Sequence, residues 1–229
     1  MSEKNTKQSK VPLISTIVVA VLALAAVVAL ILILGSKPAE SNSSSSDEVF
    51  RPTAEFEQEC EYAAHDLVKD SYEIIRLFIT QGLPHLDEPY GNAPEDGIYT
   101  VNTEKSRGYS SYEDIEKKVK SVYTDAAAEK VLHDIDGKGF EVYKKRKSPY
   151  NDDVVLGINA DFAADAAREK LWENCALTVL PTSETECDIT IYLDVTSDSF
   201  DTSDASEDKI LRTKMVKTDA GWRLTEFVY

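Results

Sequence analysis

The chain is poor in the residues that carry most protein chemistry. It holds three histidines and three cysteines in 229 residues. None of His65, His85, His133, Cys60, Cys175 or Cys187 falls into a Gly-x-Ser-x-Gly, His-Glu-x-x-His or Cys-x-x-Cys arrangement. A zinc framework or a dense disulfide scaffold is excluded, because each needs clustered ligands or many paired thiols. Basic charge is the second scarcity, with 25 Lys and Arg against 41 Asp and Glu and a net charge of −16. That excludes nucleic acid as a partner, since phosphate binding depends on Lys and Arg contacts that release counterions. An acidic field of this kind favours basic protein surfaces or cations.

What the chain does hold begins with one run. Residues 11–34 carry no charged side chain, and as a helix they would reach about 36 Å, more than a hydrocarbon core of roughly 30 Å. The expectation is a transmembrane helix over 11–34. Residues 1–10 read as a cytoplasmic tail, because Lys4, Lys7 and Lys10 outnumber Glu3 on that side. A cleaved signal peptide is the alternative, but the run exceeds the usual signal core and no clean small-x-small site follows it. Residues 35–50 read as a Ser-rich linker and 51–229 as an extracytoplasmic domain. The expected location is the cell membrane, single-pass, with the N-terminus cytoplasmic.

Within 51–229 the first element reads as an amphipathic helix. Phe56, Cys60, Ala63, Ala64, Leu67, Ile74, Ile75 and Phe78 recur at three- and four-residue intervals, with Pro52-Thr53 as a start and Gly82-Leu83-Pro84 as a stop. A loop rich in Pro and Gly runs from Pro84 to Gly108. Two short helices follow: Tyr112–Val122, opened by a capping box of Ser110 and Glu113, and Asp125–Asp134, with Thr124 as its cap. Beyond Gly139 the period becomes that of strands: 140–143, 154–158, 175–180, 187–195, 210–216 and 222–229. A turn over Pro181 to Thr185 sets Val179 against Cys187, Leu177 against Ile189 and Cys175 against Ile191, with the odd-numbered residues as the apolar face. Residues 161–170 suit either a short helix or a strand edge. The expected fold class is α+β: an N-terminal transmembrane helix, then a long amphipathic helix and short helices packed on a curved antiparallel β-sheet.

In that register Cys175 and Cys187 lie about 13 Å apart at some 3.3 Å per residue, beyond the span of a disulfide. All three cysteines are therefore expected in the core. No catalytic residue, cofactor site or metal site emerges. Asp134-Ile135-Asp136-Gly137 opens like a calcium loop, but Lys145 occupies the twelfth position where glutamate is needed, so a helix-ending turn is the better reading. Asp198, Asp201, Asp204, Glu207 and Asp208 form an acidic loop able to meet a basic partner or calcium, while a solvated connection is the plainer account. Trp172, Tyr192 and Trp222 are candidate liners of a cavity between helix and sheet, against the plainer account of core packing.

The long helix, the short helices around Tyr112-Glu113-Asp114-Ile115 and Ser121-Val122-Tyr123-Thr124-Asp125-Ala126-Ala127, and the final Gly221-Trp222-Arg223-Leu224 together resemble the bacterial cell-wall DL-endopeptidase inhibitor family. They also resemble the broader cystatin-like and nuclear-transport-factor-like α+β group. The resemblance implies a non-enzymatic, membrane-anchored extracytoplasmic binding domain, with a cell-wall peptidase as its protein partner. The alternative is a cavity-based small-ligand or envelope-sensor module of the nuclear-transport-factor-like group. If the concave face of the sheet is packed shut, recognition falls to loops such as Pro84 to Gly108 and Asp194 to Asp208.

Overall fold

Helix α1 (Ala54–Ile75) opens the fold, and its start follows from Thr53, whose Oγ1 accepts the Phe56 amide at 3.3 Å. In the computed structural model of the chain, residues 50–87, 94–195 and 205–229 are described. Cys60, Ala64, Leu67, Val68, Ser71, Ile74 and Ile75 form the buried face of α1. The helix does not stop cleanly but widens into a π-helical turn over Arg76–Thr80. After it come β1 (Ile98–Thr100), a 3₁₀ turn at Thr103–Lys105, α2 (Tyr112–Val122) and α3 (Asp125–His133). Then follow β2 (Tyr143–Lys147), β3 (Val154–Asn159), α4 (Ala166–Trp172), β4 (Ala176–Ser183), β5 (Glu186–Tyr192), β6 (Ile210–Thr218) and β7 (Gly221–Leu224).

The strands make two antiparallel sheets, ordered β1-β3-β2 and β4-β5-β6-β7, rather than one curved sheet. Helix α1 packs on β4, β7 and α2, while α2 touches β7 of one sheet and β2 and β3 of the other. That placement lets a single core serve both sheets. It gathers Ile115, Val119 and Val122 of α2 with Leu156 and Ile158 of β3 and with Ile189, Ile191 and Met215 of the larger sheet. With over thirty apolar side chains buried there, at about 1.5–3 kcal/mol for each large one, burial supplies the driving force that offsets chain entropy.

Several local expectations shift. The capping box of α2 uses Ser111 and Asp114, one residue on from the expected pair: Asp114 Oδ2 accepts the amides of Ser110 and Ser111 and the Ser110 hydroxyl, each at 2.9 Å. Those bonds, chiefly from Ser110, hold the Asp114 carboxyl down at about 2. Thr124 stands at the start of α3 but makes no side-chain cap. The undecided segment is helical, with Asp165 as its cap. In the β4–β5 hairpin the odd-numbered face is inward as expected, but the register differs by two: Val179 pairs with Ile189, Leu177 with Ile191 and Pro181 with Cys187. The turn is only Glu184-Thr185, and a register shift lies between Pro181 and Ser183. Strand β2 occupies the basic run Tyr143–Lys147 instead of 140–143. Its cations are met by Glu141 (Lys144, 2.9 Å), Glu113 (Lys145) and Asp152 (Lys147, 2.5 Å).

The membrane expectation is corrected. Among the described residues no helix is long and apolar enough to cross a membrane. The run at 11–34 on which the single-pass reading rested, with the tail and most of the linker, lies outside the described residues. Nothing among the described residues supports the transmembrane element, the membrane as partner or the cell-membrane location, and none of them is carried further. The architecture that stands is an α+β domain with helices packed on open antiparallel sheets.

Candidate functional site

The space between α1 and the four-stranded sheet is filled. Trp172 is buried and stacks on Tyr72, with ring centroids 6.1 Å apart and planes 8° from parallel. Trp222 is buried and donates from Nε1 to Glu59 Oε1 at 3.2 Å, and Tyr192 sits half-buried on β5 opposite Ala176 and Ile210. None of the three lines any of the grooves described below. Asp198, Asp201 and Asp204 lie outside the described residues, while Glu207 and Asp208 are exposed on a 3₁₀ turn (Glu207–Lys209) and Glu207 pairs with Arg212 at 3.2 Å.

Grooves open instead on the surface. One, of about 400 Å³, lies between α3 and the last residues; another, of about 460 Å³, lies on the four-stranded sheet around Thr178, Asp188, Arg212 and Lys214. The charges of the second already satisfy one another, since Lys214 meets Glu186 at 2.5 Å and Asp188 at 3.3 Å. A third groove, of about 440 Å³, has Leu83, Tyr99, Ile158 and Phe162 among its apolar liners, with Gln81, His85, Arg107 and Asn159 as the polar ones. Among the described residues, Arg107 at its rim has no carboxylate partner, and it stands in a left-handed conformation.

The third groove is built by the way α1 ends. The π-helical turn lets Arg76 O accept the amides of both Gln81 and Gly82, at 2.9 and 3.0 Å, and Gly82 turns the chain with φ 66°. Such turns cluster at functional positions in helical proteins. A Cβ on Gly82 would come within 2.6 Å of the Phe162 ring, so glycine is needed both for its φ and for the seat of that ring. Beyond it, His85 bridges to Val101 and its ring stacks on Tyr99 with centroids 4.3 Å apart. Arg107 holds the left-handed conformation at φ 59°, a strained choice for a side chain with a Cβ. Its Nη2 donates to Gln81 Oε1 at 2.9 Å, the oxygen that also accepts from Arg76 at 3.1 Å. Gln81 in turn donates to Glu169 at 2.6 Å, and Arg76 pairs with Glu169 at 3.2 Å.

Other titratable clusters are accounted for by packing. Glu73 pairs with Lys118 at 2.6 Å and accepts from Tyr109 at 2.7 Å. Burial works to raise the Glu73 carboxyl, but those two bonds outweigh it and keep it ionised as a brace between α1 and α2. His133 meets Glu141 at 2.7 Å on the surface. Asp134 and Asp136 accept the amides of Gly139, Lys138 and Phe140, which makes that segment a turn. No group of three or more potential metal ligands exists among the described residues. Cys60 and Cys187 are fully buried, whereas Cys175 is exposed, against the expectation that all three are core residues.

No family model matches the chain, and no curated protein matches it. The anchored peptidase inhibitor is accordingly withdrawn: its membrane helix is not found among the described residues, and nothing in the comparisons ties the chain to such inhibitors.

Only part of the third groove was visible in the sequence as a loop. The flagged segment Pro84 to Gly108 supplies His85, Tyr99 and Arg107, but Gln81 and Phe162 come from outside it. A signal for Gln81 existed in the Gly82-Leu83-Pro84 stop beside it.

Proposed function

We propose that the protein is a small-ligand-binding module, without turnover, whose ligand sits in the groove between the end of α1 and the β1–β3 pair. What carries this reading is the coincidence of a π-helical turn, a left-handed arginine and a His85–Tyr99 stack around one concavity of about 440 Å³. That size falls within the range of small-molecule sites, which combine apolar walls with a few placed polar groups. Support for binding over catalysis comes from His85, whose Nδ1 stands 3.2 Å from the Leu86 carbonyl oxygen rather than beside a nucleophile. The reading keeps the cavity-based small-ligand alternative, with the ligand placed at the loop-bounded groove rather than between helix and sheet.

The test is a small-molecule screen on the full chain by thermal shift, followed by amide chemical-shift mapping of the hits. Hits are expected to perturb Leu83, Tyr99, Ile158 and Phe162, and to be lost on Ala164→Trp, which fills the exposed rim without entering the core. Hits that map to the other grooves, or that survive Ala164→Trp, overturn the proposal.

A further inference from the structure

We infer that the groove takes an organic anion, a carboxylate carried on a flat apolar body, with Arg107 receiving the carboxylate. The inference rests on the groove being a ligand site. Its warrant is the local balance of charge. Two guanidinium groups, Arg76 and Arg107, converge on the single carbonyl oxygen of Gln81, and one carboxylate, Glu169, lies beside them. Glu169 is taken by Arg76 at 3.2 Å, and among the described residues no carboxylate pairs with Arg107. Arg107 is thus held at the groove by a neutral partner.

Gln81 explains why the charge is left over. Its amide oxygen is neutral, so it orients Arg107 without cancelling it, and four of the five guanidinium N–H groups remain for a planar acceptor. Arginine suits such an acceptor better than lysine, since its fork can donate two parallel bonds to one carboxylate. The backbone points the same way. Arg107 holds φ 59° and Gly108 follows at φ 98°, so the turn that carries the guanidinium to the rim is left-handed at both residues. The body of the ligand is set by the floor: Leu83 and Ile158 are buried, and the rings of Tyr99 and Phe162 are half-buried and offer flat faces.

The probes are 3-phenylpropionate and its neutral counterpart 3-phenylpropionamide, titrated into the full chain and followed on the amides of Leu83, Ile158 and Phe162. The carboxylate is expected to bind about tenfold more tightly than the amide, the worth of a charge-assisted hydrogen bond. The preference should shrink as salt rises from about 20 mM to about 500 mM. Arg107→Gln should abolish the preference between the two probes, and Arg107→Lys should restore part of it. If Arg107→Gln does not fold, the salt titration of the unaltered chain decides. Equal binding of the two probes, or a preference indifferent to salt and to Arg107→Gln, overturns the anion assignment and leaves the groove standing. If neither probe moves the groove amides, the groove reading falls and the anion with it.

Discussion

Ser71 on α1 and Tyr123 at the end of α2 meet hydroxyl to hydroxyl at 2.6 Å inside the core, with 2% and 1% of their surfaces exposed. Each satisfies the other in a place water does not reach, and burial pushes the Tyr123 phenol above its ordinary range. Ser71→Ala leaves a buried phenol without a partner and should cost about 1–3 kcal/mol, as should Tyr123→Phe. The double variant should lose clearly less than the sum of the two. A chemical-denaturation cycle on the four proteins measures this, and strict additivity would refute the coupling.

Gly82→Ala should disturb both stability and site. The left-handed φ of 66° penalises any Cβ, and the methyl would press on Phe162 at 2.6 Å. A loss of about 2 kcal/mol is expected from the backbone conformation and the displaced ring together. Thermal melts give the first effect. Phe162 side-chain resonances give the second, and a substitution that leaves both unchanged would show that the ring does not rest on this residue.

Acid should act on the start of α2. The Asp114 carboxyl sits at about 2 in the folded chain against an ordinary 3.8. A depressed folded value means that its contribution is fully present above about pH 4 and is lost as pH falls from there through about 2. Carboxyl titration by NMR should show this midpoint, and Ser110→Ala, which removes the Ser110 hydroxyl bond but keeps the amide bond, should move it partway upward. A midpoint near 3.8 in the unaltered protein would contradict the cap geometry.

Thiol chemistry should separate the three cysteines. In the native protein Cys175 should be labelled by an aromatic disulfide reagent, though slowly for an exposed thiol because burial raises it too, while Cys60 and Cys187 stay silent until unfolding, because neither exposes any surface. Peptide mapping after a short labelling pulse assigns the sites. Early label on Cys187 would argue against the packed helix–sheet interface.

Much of α1 was legible because a helix that buries one face writes its period into the sequence: Cys60, Ala64, Leu67, Ile74 and Ile75 were all read correctly onto that face. The inward parity of β4 and β5 was legible for the same reason, yet their register was not. A two-residue turn with a bulge near Pro181 and a longer plain turn bury the same alternate side chains, so pattern alone could not choose between them. Strand β2 was hidden because Lys144, Lys145, Arg146 and Lys147 look like a solvated loop until Glu141, Glu113 and Asp152 are seen around them. The site was hardest. His85 and Arg107 lie at opposite ends of one loop, and their approach to Gln81 and Phe162 depends on a helix end whose widening into a π turn leaves no mark in composition.

Pro181 lies on β4, an outer strand of the four-stranded sheet, beside a Leu180 whose surface is 63% exposed. A row of open main-chain donors next to an apolar side chain invites a neighbouring molecule to continue the ladder. Proline has no amide to offer, and the irregularity that follows it bends the rim, so that invitation is withdrawn at the spot where it is strongest. An incoming strand finds no main-chain donor at that residue.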